Sequence, residues 1–310
     1  MRKKTLYEIE SLYRDNFRVT SYEFGKGKKS VCILGNIRGN EVQQLYVCSQ
    51  LVKRFKEMEE AGKIKAGHKI MVVPSANPYS MNIKKRFWPT DNTDINRMFP
   101  GYDQGETTQR IAAGIFEEVK KYRYGIQLAS FYMPGKFTPH VRMMKTGFED
   151  IELAKEFGMP YVVIRNPRPY DTTTLNYNWQ IWETHAFSLY TTTTEHIDKA
   201  SAVMAIHSVL NFLAKEGIVD YCGHEGYISH VVEDTDMVSV RTRVSGIFES
   251  KVEVGEEVLK GQILAETIDP YEGTVKEVLE SPVDGIVFFV HDEPLTYAKT
   301  AVFKLVVRKE

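Results

Sequence analysis

Val31-Cys32-Ile33-Leu34-Gly35-Asn36-Ile37-Arg38-Gly39-Asn40-Glu41 reads as a short buried strand that opens into a polar loop and leads on to a segment of helical period. Val42, Leu45, Val52, Phe55 and Met58 recur at about three- and seven-residue steps, which gives a helix one apolar stripe, with Lys53 to Glu60 as its solvated face. Further along come the apolar runs Ile70-Met71-Val72-Val73, Tyr161-Val162-Val163-Ile164 and Leu189-Tyr190-Thr191-Thr192. Between and after them, Ile111, Ile115 and Val119 mark a helix over Thr107 to Tyr122, and Val209, Leu210 and Leu213 mark another over Ser201 to Lys215, ended by Gly217. Short apolar runs alternating with helical segments are the pattern of an α/β domain, a sheet with helices packed on its faces.

Beyond Tyr221 the texture changes. Val244-Ser245-Gly246-Ile247-Phe248, Val252-Glu253-Val254-Gly255, Gly261-Gln262-Ile263-Leu264 and Val283-Asp284-Gly285-Ile286-Val287 are strand-like pieces separated by glycines, with no room for a helix of ordinary length. The division expected is therefore 1–222 for the α/β domain and 223–310 for a small all-β domain, a barrel-sandwich built from paired hairpins.

A chain of 310 residues with 43% apolar side chains can bury a sizeable core, enough for one large domain and a smaller one. The formal net charge of -1 leaves no excess of positive charge for phosphates on nucleic acid or on an anionic membrane, so neither is an expected partner. Cys32, Cys48 and Cys222 fit neither a disulfide framework nor a thiolate zinc site. Met1-Arg2-Lys3-Lys4 leads into polar residues rather than an apolar signal core, so the expected location is the cytoplasm. A homo-oligomer is compatible with this composition.

In open α/β sheets ligands bind outside the carboxyl ends of the strands, and four loops there are unusually polar. The first is Gly35 to Glu41. The second runs from Asn77-Pro78 through Arg86 to Asp94-Ile95-Asn96-Arg97-Met98-Phe99-Pro100-Gly101, longer than most connections, and long ordered loops are usually functional. Its arginines present planar forks that match a carboxylate, which makes a small carboxylate-bearing ligand the expected partner. The third follows Gln127-Leu128-Ala129-Ser130, and the fourth sets Glu195 at the end of a strand as a candidate general base.

Asn77-Pro78, Arg86 and Asp94-Ile95-Asn96-Arg97-Met98-Phe99-Pro100-Gly101 resemble the substrate loop of the succinylglutamate desuccinylase/aspartoacylase family, relatives of the zinc carboxypeptidases; Pro139-His140-Val141-Arg142 and Glu195 also look like family segments. The resemblance covers almost the whole chain and implies a zinc-carboxypeptidase-like fold, a mixed sheet flanked by helices. It implies that Arg86, Asn96, Arg97 and His140 bind substrate, with Arg97 also stabilising an oxyanion and Glu195 activating water. The family's zinc is held by His-x-x-Glu in the first loop and a histidine after the third strand, where this chain reads Arg38-Gly39-Asn40-Glu41 and Gln127-Leu128-Ala129-Ser130. Arginine has no lone pair and alanine no donor atom, so only Glu41 could ligate, and zinc is expected only through a rearranged site, with His140, His185 and His196 as the nearest histidines to consider.

Two functions are compatible with these residues. One is a degenerate enzyme that holds a small carboxylate such as an N-acyl amino acid without the family's zinc, Arg38 pairing with Glu41 or Glu195 in the vacated space. The other is an active N-acyl amino acid amidohydrolase that uses a rearranged metal site or water activated by Glu195 alone. The C-terminal segment resembles the hammerhead fold of biotinyl and lipoyl carriers, yet Ala265-Glu266-Thr267-Ile268-Asp269-Pro270-Tyr271 stands where a carrier needs its lysine, so no swinging arm is expected.

Overall fold

The computed structural model describes residues 1–13 and 15–308. Along the chain the strands of the first unit are β1 (Arg2–Ile9), β2 (Phe17–Gly25), β3 (Gly27–Leu34), β4 (Gly67–Val73) and β5 (Tyr124–Ala129); β6 (Lys136–Phe137) belongs to the second unit; then come β7 (His140–Met144), β8 (Tyr161–Arg165), β9 (His185–Tyr190) and β10 (His230–Glu233). The helices are α1 (Val42–Glu60), α2 (Pro78–Asn82), α3 (Thr107–Val119), α4 (Ile151–Lys155), α5 (Leu175–Ile181) and α6 (Lys199–Lys215). One sheet runs in the order β1-β2-β4-β3-β5-β9-β7-β8-β10. It is mixed: β4, β3, β5 and β9 are parallel neighbours, whereas β2 meets β4 and β7 meets β9 antiparallel.

Alternation along the central strands divides the core into two layers. Val31, Ile33, Ile126, Leu128, Phe187 and Leu189 join Val47, Leu51 and Phe55 of α1 and Val209, Phe212 and Leu213 of α6 on one face. Cys32, Leu34 and Ala186 join Ile111, Ile115 and Phe116 of α3 and Trp179 of α5 on the other. Both faces of the sheet are thus covered, as its parallel central strands require.

The second unit comprises Phe131–Thr138 and the chain from Val232 on. Its strands are β11 (Met237–Arg241), β12 (Gly246–Ser250), β13 (Glu257–Val258), β14 (Ile263–Ile268), β15 (Val275–Glu280), β16 (Gly285–Val290), β17 (Leu295–Thr296) and β18 (Ala301–Val307). They form two antiparallel sheets, β11-β18-β16-β13 and β15-β14-β12-β17, around Phe248, Leu264, Val287, Phe303 and Leu305, with β6 added to β16. The texture change read at residue 223 precedes this unit because residues 224–230 still bond to the first: Asn211 Nδ2 donates to the His224 carbonyl at 2.6 Å, and the Tyr227 and His230 amides donate to the Gly158 and Pro160 carbonyls at 2.8 and 2.9 Å. Residues 131–138 join the small unit by pairing β6 with β16 and by packing the buried Phe137 ring on Phe289. Among the described residues no helix is long and apolar enough to cross a membrane.

Candidate functional site

The polar loop after β3 is folded by its own side chains. Asn36 takes a positive φ of 29° and donates through Nδ2 to the carbonyls of Arg38 (2.9 Å) and Glu41 (3.2 Å), while its Oδ1 accepts from Ser75 Oγ at 2.6 Å. Gly39 passes so close to the backbone of Ser80 and Lys85 that any Cβ there would collide, so only glycine fits. Glu41, the residue before α1, turns its carboxylate back into the loop. Its Oε2 accepts the Ile37 and Arg38 amides at 2.8 and 3.0 Å, and its Oε1 accepts from Ser130 Oγ at 2.5 Å and Arg38 Nη1 at 3.2 Å.

Arg38 therefore points inward. Its Nε sits 3.1 and 3.0 Å from the two Asp94 oxygens, and its side chain is 4% exposed, against 1% for Glu41 and 11% for Asp94. Burial works against the charge, but Asp94 and Glu41 more than offset it, so the guanidinium is held above its ordinary pKa. The pairing with Glu41 is one of the two expected from sequence. The second partner is Asp94 and not Glu195, which lies in the loop five residues beyond Tyr190, where β9 ends, rather than at a strand's end; its Oε1 accepts from Asn40 Nδ2 at 2.7 Å while the side chain stays exposed.

The long loop closes over this ion cluster. Asn77 caps α2 by accepting the Ser80 amide at 3.1 Å, and Ser80 Oγ donates to the Phe87 carbonyl at 2.7 Å, which anchors the turn that carries Arg86. Arg86 Nη2 lies 3.6 Å from Asp94 Oδ2. Its pKa is brought down to about 10 by burial first and then by the nearby Arg38, with Asp94 and Glu41 only partly compensating and Arg97 adding to the repulsion. Three guanidiniums thus stand against two carboxylates in one partly buried place, a local excess of positive charge that an anionic ligand would relieve.

Asn96 and Arg97 occupy the same loop with different duties. Asn96 Oδ1 accepts the Leu175 amide at 3.1 Å, and the Phe99 carbonyl accepts from Asn178 Nδ2 at 3.1 Å, so the 94–99 turn is pinned to α5. Arg97 donates to the Asn96 carbonyl at 3.3 Å and lies 5.9 Å from the Tyr170 ring, with no carboxylate partner among the described residues. Tyr170 was not legible in the sequence as a site residue. Its hydroxyl accepts from Arg168 Nη1 at 3.0 Å and Arg165 Nη2 at 3.4 Å, which makes it a neighbour of Arg97 that is itself held by cations.

Strand register places the remaining candidates. Ala129 lies opposite Tyr190, and Tyr190 opposite His140, so the three share one level at the carboxyl ends of β5 and β9. His140 is fully buried, stacked on Tyr190 at 4.7 Å and 3.3 Å from Arg142 Nη2. His185 starts β9 opposite Tyr124 at the amino ends, beside Asp150 at 3.7 Å, so the sheet itself separates it from Glu41. His196 is exposed, with its carbonyl bonded to Thr193 Oγ1 at 2.7 Å.

The donor set does not suit zinc at the positions the resemblance assigns. Arg38 brings a protonated guanidinium and Ala129 a methyl group, which leaves Glu41, itself paired with the Arg38 guanidinium, as the one ligand among the three positions.

The charge excess carries an expected result. Arg86→Met keeps most of the apolar stem and removes one of three crowded cations. Chemical denaturation should find the ligand-free variant at least as stable as the parent; a loss above about 1 kcal/mol would show that Arg86 is a structural ion-pair partner rather than a surplus cation.

Comparison with known proteins agrees with this architecture. Residues 27–204, more than half of the chain, match the model of the succinylglutamate desuccinylase/aspartoacylase catalytic domain. The N-alpha-acetyl-L-2,4-diaminobutyric acid deacetylase of Halomonas elongata is 24% identical over 277 residues, covering 81% of this chain and 73% of its own. Among solved structures, a succinylglutamate desuccinylase from a Silicibacter species superposes with a TM-score of 0.81 at 17% identity, over 99% of this chain and 93% of the other. The product-bound ectoine utilization protein of Ruegeria pomeroyi gives 0.79 at 19% identity, over 94% and 90%.

Proposed function

Since the chain belongs to the succinylglutamate desuccinylase/aspartoacylase family, we propose that it binds a small carboxylate ligand such as an N-acyl amino acid without the family's zinc, with the Arg38 guanidinium standing in the metal's place. The observation that carries this reading is the burial of Arg38 between Glu41 and Asp94. A fixed cation there neutralises the carboxylate that would otherwise ligate a metal. Arg86 and Arg97 then supply the net positive charge that receives the ligand, and Arg97 is the cation without an acidic partner among the described residues. His140, Arg142 and Tyr190 would line the same carboxyl end of the sheet.

Such a site binds and orients. It lacks the Lewis acid that brings the pKa of water close to neutrality, so an unactivated amide would turn over poorly. A hydrolytic reading keeps some support from Glu195, whose carboxylate is oriented by Asn40, the residue before Glu41, and from the deacetylase activity of the Halomonas relative. It ranks second because that carboxylate is exposed and would have to activate water alone. Thermal shift with N-acetylated amino acids, read beside product formation, separates the two: stabilisation that disappears in Arg97→Ala with no product supports binding, and product formation supports hydrolysis.

A further inference from the structure

The other end of the same sheet carries charge that none of this uses. At the amino ends of β3 and β4 the parallel register sets Lys28 beside His68 and Lys29 beside Lys69, and β5 begins at Tyr124, directly after Lys121, Tyr122 and Arg123. These ends surround a cavity of about 570 Å³ whose lining includes Lys28, Lys29, His68, Lys121, Arg123 and Glu216.

The cations outweigh their partners. Lys29 and Lys121 share Glu118 at 3.5 and 2.5 Å. Lys28 and Arg123 have no acidic partner among the described residues, and the Arg123 guanidinium lies over the Tyr124 ring at 4.9 Å. Glu216, the carboxylate in the lining, is engaged by the Tyr124 hydroxyl and faces Glu156, whose own pKa is raised by burial and then by Glu216. The wall is also ordered: the buried Ser30 hydroxyl donates to the Lys28 carbonyl at 3.2 Å and lies 2.9 Å from His68 Nδ1, which fixes the imidazole.

We propose that this cavity is a second anion site, for a small compound bearing more than one phosphate group. Lysines act as point charges that suit phosphate, and several of them spread around one cavity match a ligand whose charge is also spread. The site is distinct from the guanidinium cluster. β3 has 8 residues, and at roughly 3.3 Å per residue its ends are on the order of 20 Å apart.

The test is calorimetric titration of the whole chain with inorganic pyrophosphate near physiological ionic strength, where exposed charges are screened beyond about 8 Å. The double variant Lys28→Gln/Arg123→Gln removes two exposed cations without acidic partners and should keep the parent's melting temperature. Its affinity should fall at least roughly tenfold, about 1.4 kcal/mol, while Arg97→Ala binds like the parent. Absence of binding by the parent, equal affinity in the double variant, or loss in Arg97→Ala would each overturn the proposal, the last by assigning pyrophosphate to the guanidinium cluster.

Discussion

Arg38→Ala is expected to lower the free energy of unfolding by about 3–5 kcal/mol, the range found when one partner of a buried ion pair is removed. The size reflects the groups that remain. Glu41 is 1% exposed and Asp94 11%, and each accepts from the guanidinium that the substitution deletes. Glu41 keeps the Ile37 and Arg38 amides and Ser130, and Asp94 keeps the Asn96 amide, but neither keeps a close counter-charge apart from Arg86 at 3.6 Å. Urea denaturation would measure the loss. Arg38→Ala/Asp94→Asn should recover part of it, because the second change removes one stranded charge. Arg38→Lys should fall between, since an ammonium retains charge but not the planar guanidinium that meets Asp94 through Nε and Glu41 through Nη1 at once. An Arg38→Ala protein within about 1 kcal/mol of the parent would mean that water replaces the guanidinium freely and that the position is not a packed ionic plug.

Arg97→Ala should weaken binding of an N-acetylated amino acid by about 10- to 150-fold, the equivalent of roughly 1.5–3 kcal/mol for a hydrogen bond to a charged group. Arg97 is well suited to show it. Its guanidinium is held by the Asn96 carbonyl and the face of Tyr170, neither of which neutralises it, whereas Arg38 and Arg86 both lean on Asp94. Removing Arg97 should therefore leave the ligand-free protein near parental stability while the stabilisation by ligand shrinks, which separates a binding role from a structural one. Equal stabilisation of parent and variant by N-acetyl-L-aspartate and N-acetyl-L-2,4-diaminobutyrate alike would remove Arg97 from the ligand site.

How far the sequence could be read depended on the kind of interaction. Helices α1, α3 and α6 were legible because each lays an apolar stripe on the sheet, although α1 buries Val47, Cys48 and Leu51 with Phe55 and Met58 while Val42, Leu45 and Val52 flank them. Strands β3, β4 and β8 were legible as buried runs, whereas the run Leu189 to Thr192 overlaps only the last two residues of β9. The hairpin of β1 and β2 was not, since β1 is the edge strand Arg2-Lys3-Lys4-Thr5-Leu6-Tyr7-Glu8-Ile9, largely exposed and charged, and such strands carry no clean alternation. At the site, Arg38, Arg86, Asn96 and Arg97 stood out through their residue types and the family loop. Spacing could not tell which loops meet. Asp94 opens the Asp94 to Gly101 motif, yet its role as the partner of Arg38, 56 residues away, exists only once β3 and the long loop are folded. The same holds for Tyr170 beside Arg97. Strand direction, equally invisible to spacing, is what sends His185 to the end of the sheet away from Glu41.

The direct test of whether Arg38 replaces the metal is elemental analysis of zinc after incubation and removal of the excess, on the parent and on Arg38→His/Ala129→His. Two imidazoles would join Glu41 once its guanidinium partner is gone, the three-ligand set that zinc hydrolases use. Zinc retained at about one per chain by the double variant and absent from the parent is the expected result. Zinc retained by the parent would contradict it and would bring a rearranged metal site, and with it hydrolysis, to the front.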